Sequence, residues 1–123
     1  MRPPDEARRE LVLQWLRKAA ADSDVAAQLC LQGSRFREIA ASHCQEAAEK
    51  YLKAFLVRHQ VQFPKTHDIA KLLDRVAMVD AGLAASLRGA DVLSPFGVEI
   101  DTRAMLQRSF KAMKTKYLRS LVR

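Results

Sequence analysis

The sequence is poor in the residues that end or kink regular structure. Glycine and proline number four each among 123 residues, and aromatic residues make up 7%. This is too few turn-forming residues for an all-β sandwich. Alanine and leucine are abundant, and both favour helix over strand. The composition therefore predicts an all-α protein.

Long apolar runs are also missing. No stretch approaches the roughly 20 apolar residues of a membrane-spanning helix, and residues 1–10, MRPPDEARRE, lack the apolar region of a signal peptide. We therefore expect a cytoplasmic protein that does not enter a membrane. A length of 123 residues predicts a single domain over residues 1–123.

Residues that bind metals or start covalent chemistry are scarce. Cys30 and Cys44 occur in separate helical patterns, without a CxxC or Cys/His cluster, and are predicted to be reduced core thiols. The three histidines, His43, His59 and His67, are too far apart to meet within one helix. Glycine-rich phosphate loops, HExxH and GxSxG are absent. We predict no metal, no cofactor and no common catalytic motif.

Apolar residues recur with helical spacing through most of the chain. One helix is predicted from about Glu6 to Gln32, ended by Gly33, with Leu11 and Trp15 in its apolar stripe. A second, with Ser34 as its N-cap, is predicted from about Arg35 to His59 and includes Ile39 in its apolar face. Three shorter helices follow, starting at Thr66 or His67, running from about Ala81 to Val92, and running from Asp101 or Thr102 to about Val122.

The short connection between the two long helices determines how they pack. Two helices joined by two or three residues form an antiparallel hairpin. The sequence thus predicts an up-and-down helical bundle of four to five helices with two long antiparallel N-terminal helices.

Charged residues interrupt the apolar pattern of the second helix. Glu49 and Lys53 are four residues apart, as in a stabilising helical ion pair. They either decorate a solvated face or, with Gln45 and Lys50, line a groove that faces a partner or a nucleotide. Asp22 lies in the apolar stripe of the first helix, so we expect a partly buried ion pair with Lys50 or Lys53.

His67 and Asp68 lie at the predicted start of the third helix. They either cap this helix, where an acid suits the positive end of the helix dipole, or face the same ligand or partner. The net charge of +7 favours anionic partners, and residues 103–123 carry basic but no acidic side chains. That stretch is either a solvated face or a surface for RNA.

Three segments carry a family resemblance: WLRKA from Trp15, CQEAAEKYLKAFL from Cys44 and THDIAKLL from Thr66. Together they resemble the HEPN domain (higher eukaryotes and prokaryotes nucleotide-binding), in its small stand-alone prokaryotic form. The resemblance implies a four- or five-helix bundle that forms homodimers. It also implies a minimal nucleotidyltransferase as partner, in a toxin–antitoxin pair or a related module. We expect the dimer interface at the loop around Phe96 and the outer parts of the long helices.

Many HEPN proteins are metal-independent ribonucleases that use Arg, four to six residues, then His near the start of a late helix. Here residues 96–101 read FGVEID, and no histidine follows His67. Arg37 and His43 have the spacing but occur on the second helix, so they are only remote catalytic candidates. We therefore expect a non-catalytic, nucleotide-associated interaction protein. The alternatives are a HEPN ribonuclease toxin and a helical adaptor with no nucleotide role.

Overall fold

The computed structural model describes residues 4–89, which form four α-helices and no strand. The helices are α1 (Pro4–Leu31), α2 (Arg37–Arg58), α3 (Ile69–Ala77) and α4 (Ala81–Gly89). The all-α bundle predicted from the sequence is confirmed. The predicted end of the fourth helix at Val92, the loop around Phe96 and the predicted fifth helix lie outside the described residues.

Helices α1 and α2 form the predicted antiparallel hairpin. The chain reverses at Gly33, whose φ of 112° is a conformation that glycine adopts without the steric cost of a Cβ. A 3₁₀ turn, Ser34–Phe36, follows, and α2 begins only at Arg37. The prediction of Ser34 as a side-chain cap was wrong, because no side chain caps the 3₁₀ turn or α2.

Helix α2 forms the centre of the core. Its second half is buried on nearly all sides, through residues that include Leu52, Phe55 and Leu56. Helix α1 contributes Val12 and Leu16, together with small residues that let the two helices approach closely.

Two apolar residues that were predicted to face the core are exposed instead. Leu11 is 42% exposed, whereas its neighbour Val12 is fully buried. The deviation is limited to the start of the helix, because Ala19 and Ala26, four and eleven residues beyond Trp15 in the same stripe, are buried, and Trp15 packs against the core. Ile39, near the start of α2, is half exposed.

The end of α2 is closed by a left-handed residue. Gln60 has a φ of 58°. The amide of Gln60 donates to the carbonyl of Val57, and that of Val61 to the carbonyl of Leu56 at 2.9 Å. These two bonds make a Schellman motif, which satisfies the last carbonyls of a helix and reverses the chain. The motif directs residues 61–68 back along the outside of α2.

Helix α3 starts two or three residues later than predicted. Asp68 is its N-cap, with Oδ1 accepting hydrogen bonds from the amides of Ala70 at 3.0 Å and Lys71 at 3.4 Å. Asp80 similarly accepts from the amide of Leu83 at the start of α4. Both short helices then bury their apolar residues against α2 or each other, through Ile69, Leu72, Leu73, Val76, Ala84 and Leu87.

None of the helices among residues 4–89 combines the length and the apolar character that crossing a membrane requires.

Candidate functional site

A groove of about 440 Å³ runs between the middle of α2 and the start of α3. We call it the α2–α3 groove. Six of its eight lining residues have polar side chains, and its position follows from the loop that returns the chain after the Schellman motif. It is lined by Ser42, Gln45, Glu46, Glu49, His67, Asp68, Ile69 and Ala70.

A buried ion pair forms the inner wall of the groove. Glu49 and Lys53 are each only 7% exposed, and Lys53 Nζ lies 2.8 Å from Glu49 Oε1. The same oxygen lies 2.6 Å from Nδ1 of His67. Lys53 Nζ is also 5.3 Å from the centre of the Trp15 ring on α1, a cation–π distance. The pair thus connects α1, α2 and the start of α3.

Glu49 retains hydrogen-bonding capacity on the groove side. Lys53 and His67 both contact Oε1, and no donor within residues 4–89 reaches Oε2. A carboxylate has about four acceptor positions, and a buried polar atom is normally hydrogen-bonded. Glu46 and Asp68 add two more carboxylates to the lining. The groove therefore presents acceptor atoms that could take hydrogen bonds from a bound group.

A second polar cluster lies where α2 meets α1. Asp22 accepts from the ammonium of Lys50 through Oδ2, and its Oδ1 is 3.2 Å from Nδ1 of His43. The same nitrogen is 3.8 Å from Oε2 of Glu46. Burial alone would raise the pKa of the Asp22 carboxyl, but hydrogen bonds and charges from Lys50 and His43 lower this pKa below its usual value.

Some of the predicted site residues line the groove and others do not. Gln45, Glu49, His67 and Asp68 meet in the groove, and Lys53 lies behind Glu49. Lys50 does not line the groove, because its side chain pairs with Asp22 as the sequence predicted.

Of the two alternatives for Glu49 and Lys53, the solvated face is wrong, since both side chains are buried. Asp68 caps α3 and also lines the groove, so the capping role and the ligand-facing role predicted for it are compatible. Ser42 and Glu46 were missed. Their spacing of seven and three residues from Glu49 places them on the same side of α2, which is a signal the sequence contained.

Arg37 and His43 do not face each other on α2. Six residues along an α-helix correspond to about 600°, so their side chains leave α2 about 120° apart. Arg37 is exposed at the first position of α2, whereas Nδ1 of His43 faces Asp22.

The two cysteines differ from each other. Cys30 is exposed, so its prediction as a core thiol was wrong, while Cys44 is partly buried. Burial, with a smaller contribution from the charge of Cys30, raises the pKa of the Cys44 thiol to about 11. Cys44 is thus protonated and unreactive near neutral pH.

Comparison with known proteins agrees with the sequence motifs. No curated protein and no solved structure matches the chain. The family model of the HEPN domain matches residues 12–111, which include α2, α3, α4, the groove and most of α1. The chain belongs to the HEPN domain family.

Proposed function

We propose that this HEPN protein is a dimeric, non-catalytic binding partner of a minimal nucleotidyltransferase, in a module of the toxin–antitoxin type. The α2–α3 groove would be its contact site for a basic side chain of that partner. The observation that carries the proposal is the buried Glu49 carboxylate, which lines the groove with one oxygen that no described residue satisfies.

The charge of the groove favours a cationic group. Glu46, Glu49 and Asp68 contribute three carboxylates. Lys53 balances Glu49, and the amides at the start of α3 partly balance Asp68. Glu46, with a side chain 53% exposed, is directly available to a ligand. An arginine or lysine of a partner would gain charge-assisted hydrogen bonds here.

The same charge argues against a phosphate in this groove. A phosphate group would approach three carboxylates without a dedicated arginine or lysine at the wall, since Lys53 is already paired with Glu49. A nucleotide or RNA that binds this protein would therefore use another surface. The basic residues 103–123, which lie outside the described part of the chain, remain the sequence-based prediction for it.

The proposal can be tested by isothermal titration calorimetry. The probe is a minimal nucleotidyltransferase encoded beside the gene for this chain, which the proposal requires to exist. Asp68→Asn removes a groove charge but keeps the oxygen that caps α3, and Glu46→Gln removes the exposed groove charge. We expect each substitution to weaken binding by about tenfold, as for a lost charge-assisted contact.

Glu38→Gln is the matched control, because Glu38 is an exposed carboxylate on the first turn of α2 and does not line the groove. Binding of this variant should equal wild type. An absent neighbouring nucleotidyltransferase, no binding, or equal binding by all variants would contradict the proposal.

Catalysis is tested separately. The late Arg/His pair is missing from the sequence, and Arg37 and His43 point in different directions. We therefore expect the purified protein to leave RNA intact in metal-free buffer. RNA cleavage that His43→Ala abolishes would instead establish the ribonuclease alternative.

A further inference from the structure

Three side chains at the boundary of α1 and α2 have metal-binding atoms in close proximity. They are Asp22 on α1 and His43 and Glu46 on α2, and one ligand atom from each lies within 4.8 Å of the other two. Sequence spacing does not reveal this cluster, because it combines a single histidine with two carboxylates and one of these carboxylates is more than 20 residues away. The hairpin brings residue 22 beside residues 43 and 46.

The distances suit a small tetrahedral metal ion. Zinc binds imidazole nitrogen and carboxylate oxygen at about 2.0–2.2 Å, so two ligands of one tetrahedron lie about 3.3–3.5 Å apart. Here His43 Nδ1 is 3.2 Å from Asp22 Oδ1 and 3.8 Å from Glu46 Oε2. Shifts of a few tenths of an ångström at those two distances would match zinc geometry.

The surroundings of the cluster hold one ligand in place and leave the others accessible. Lys50 binds Oδ2 of Asp22, which leaves Oδ1 directed at His43. The positive charge of Lys50 also opposes the binding of a cation beside Asp22. The side chains of His43 and Glu46 are 31% and 53% exposed, so an ion can enter from solvent.

From this arrangement we propose that Asp22, His43 and Glu46 form a zinc-binding site with a fourth position open to water or to a ligand. The imidazole favours zinc over magnesium or calcium, which prefer oxygen ligands alone. With zinc bound, the two carboxylates, Lys50 and the ion sum to a charge of +1, so the site would also attract an anion at the open position. Zinc would then compete with a basic side chain of a partner for Glu46, which leaves Glu49 and Asp68 as the carboxylates of the α2–α3 groove.

Zinc titration by calorimetry tests the site directly. The probe is zinc chloride added to metal-free protein in the Cys30→Ser background, because the exposed Cys30 thiol would compete for zinc. We expect one zinc ion per chain. His43→Gln and Glu46→Gln should each weaken zinc binding by about tenfold or more. Binding should also decline at acid pH, because the ligands must be deprotonated.

His59→Gln is the control, since this histidine lies about 24 Å further along α2 at 1.5 Å per residue and should not affect zinc binding. Failure of the parent protein to bind zinc would overturn the proposal. So would zinc binding that His43→Gln or Glu46→Gln leaves within twofold of the parent.

Lys50 provides a second, independent measurement. Its ammonium lies beside a zinc ligand and repels the ion, so Lys50→Met should bind zinc severalfold more tightly than the parent. The substitution also leaves Asp22 without its cation, and zinc should therefore raise the melting temperature of Lys50→Met more than that of the parent. If zinc raised the melting temperature of Lys50→Met by the same amount as that of the parent, or by less, the proposed zinc site would be contradicted.

Discussion

Burial changes the contribution that Lys53 makes to the fold. An exposed glutamate–lysine pair four residues apart stabilises a helix by about 0.2–0.5 kcal/mol. Glu49 and Lys53 are instead almost fully buried, and Lys53 also lies over Trp15. Removal of one member of a buried pair leaves an uncompensated charge, which costs about 3–5 kcal/mol.

We therefore predict that Lys53→Met lowers the free energy of unfolding by about 3 kcal/mol. The double variant Glu49→Gln/Lys53→Met should lose less than the sum of its single variants, because it leaves neither charge alone. Lys71→Met on the exposed side of α3 is the control and should change stability by at most about 0.5 kcal/mol. Urea unfolding measures the free energy of unfolding of Lys53→Met, Glu49→Gln, the double variant and Lys71→Met. Small, additive effects would show that the pair behaves like a surface pair.

Asp22 should make the free energy of unfolding depend on pH in the acid range. Its pKa is lowered in the folded state relative to about 3.9 in an unfolded chain. The stabilisation is therefore fully present above about pH 4 and is lost as the pH falls through the folded pKa. Asp22→Asn should be less stable than wild type by about 2 kcal/mol at pH 7, and the difference should shrink below pH 4.

Urea unfolding at pH 7 and pH 3 checks this expectation. Asp74→Asn is the control, because Asp74 forms an exposed pair with Arg88, a type of pair that contributes little. A difference between wild type and Asp22→Asn that is the same at both pH values would contradict the role of the Asp22 charge.

At the scale of elements, the turn after α2 offers a way to stabilise the protein. Gln60 has a left-handed backbone, which costs a residue with a Cβ about 1–2 kcal/mol. Glycine avoids that cost but loses more entropy on folding. We predict that Gln60→Gly raises the free energy of unfolding by up to about 1 kcal/mol.

Gln62→Gly, two residues later in the same exposed loop, is the control. It gains nothing from a left-handed backbone, since Gln60 is the only non-glycine residue with positive φ in the described range, and should be neutral or slightly destabilising. Thermal unfolding of both variants measures the difference. A Gln60→Gly variant less stable than wild type would show that the Gln60 side chain makes a contribution the turn needs.

The sequence predicts the positions of some helices more accurately than those of others. Helical spacing identified α1 and α2, and the link of two or three residues predicted at Gly33 required their antiparallel packing. In the structure this link is longer and comprises residues 32–36. The start of α3 was placed too early, because Thr66, His67 and Asp68 are all plausible first-turn residues and only geometry shows that Asp68 receives the amides. Spacing likewise could not show whether Glu49 faces water, since that depends on the path of residues 61–68.

At the scale of the whole molecule, the described surface retains apolar side chains. Leu31 and Ile39, on either side of the α1–α2 turn, are 68% and 50% exposed. Exposed apolar groups that cluster often mark interfaces, and a two-fold dimer would cover a patch with its own copy. The charge of +7 per chain opposes association, but salt screens it beyond about 8–10 Å.

We expect a dimer by analytical ultracentrifugation at micromolar concentration and moderate salt. Leu31→Asp or Ile39→Asp should shift the equilibrium towards monomer, because each would place a charge in the interface. Leu11→Asp is a control of similar chemistry far along α1, at a position 42% exposed. A monomeric mass that does not rise with concentration would contradict the dimer.

Two adjacent residues on α2 help to determine how this helix packs against its neighbours. Glu49 pairs with Lys53 and His67 toward α3, while Lys50 pairs with Asp22 on α1. Much of the surrounding helix surface is alanine and leucine, which would pack almost equally well after a slide or a rotation. A shift of α2 by one residue would separate Glu49 from His67 and Lys50 from Asp22, while Glu49 and Lys53 would stay together because both lie on α2. The Glu49–His67 and Lys50–Asp22 contacts therefore favour one packing arrangement among several that bury similar apolar surface. They widen the energy gap between the native bundle and these alternative packings.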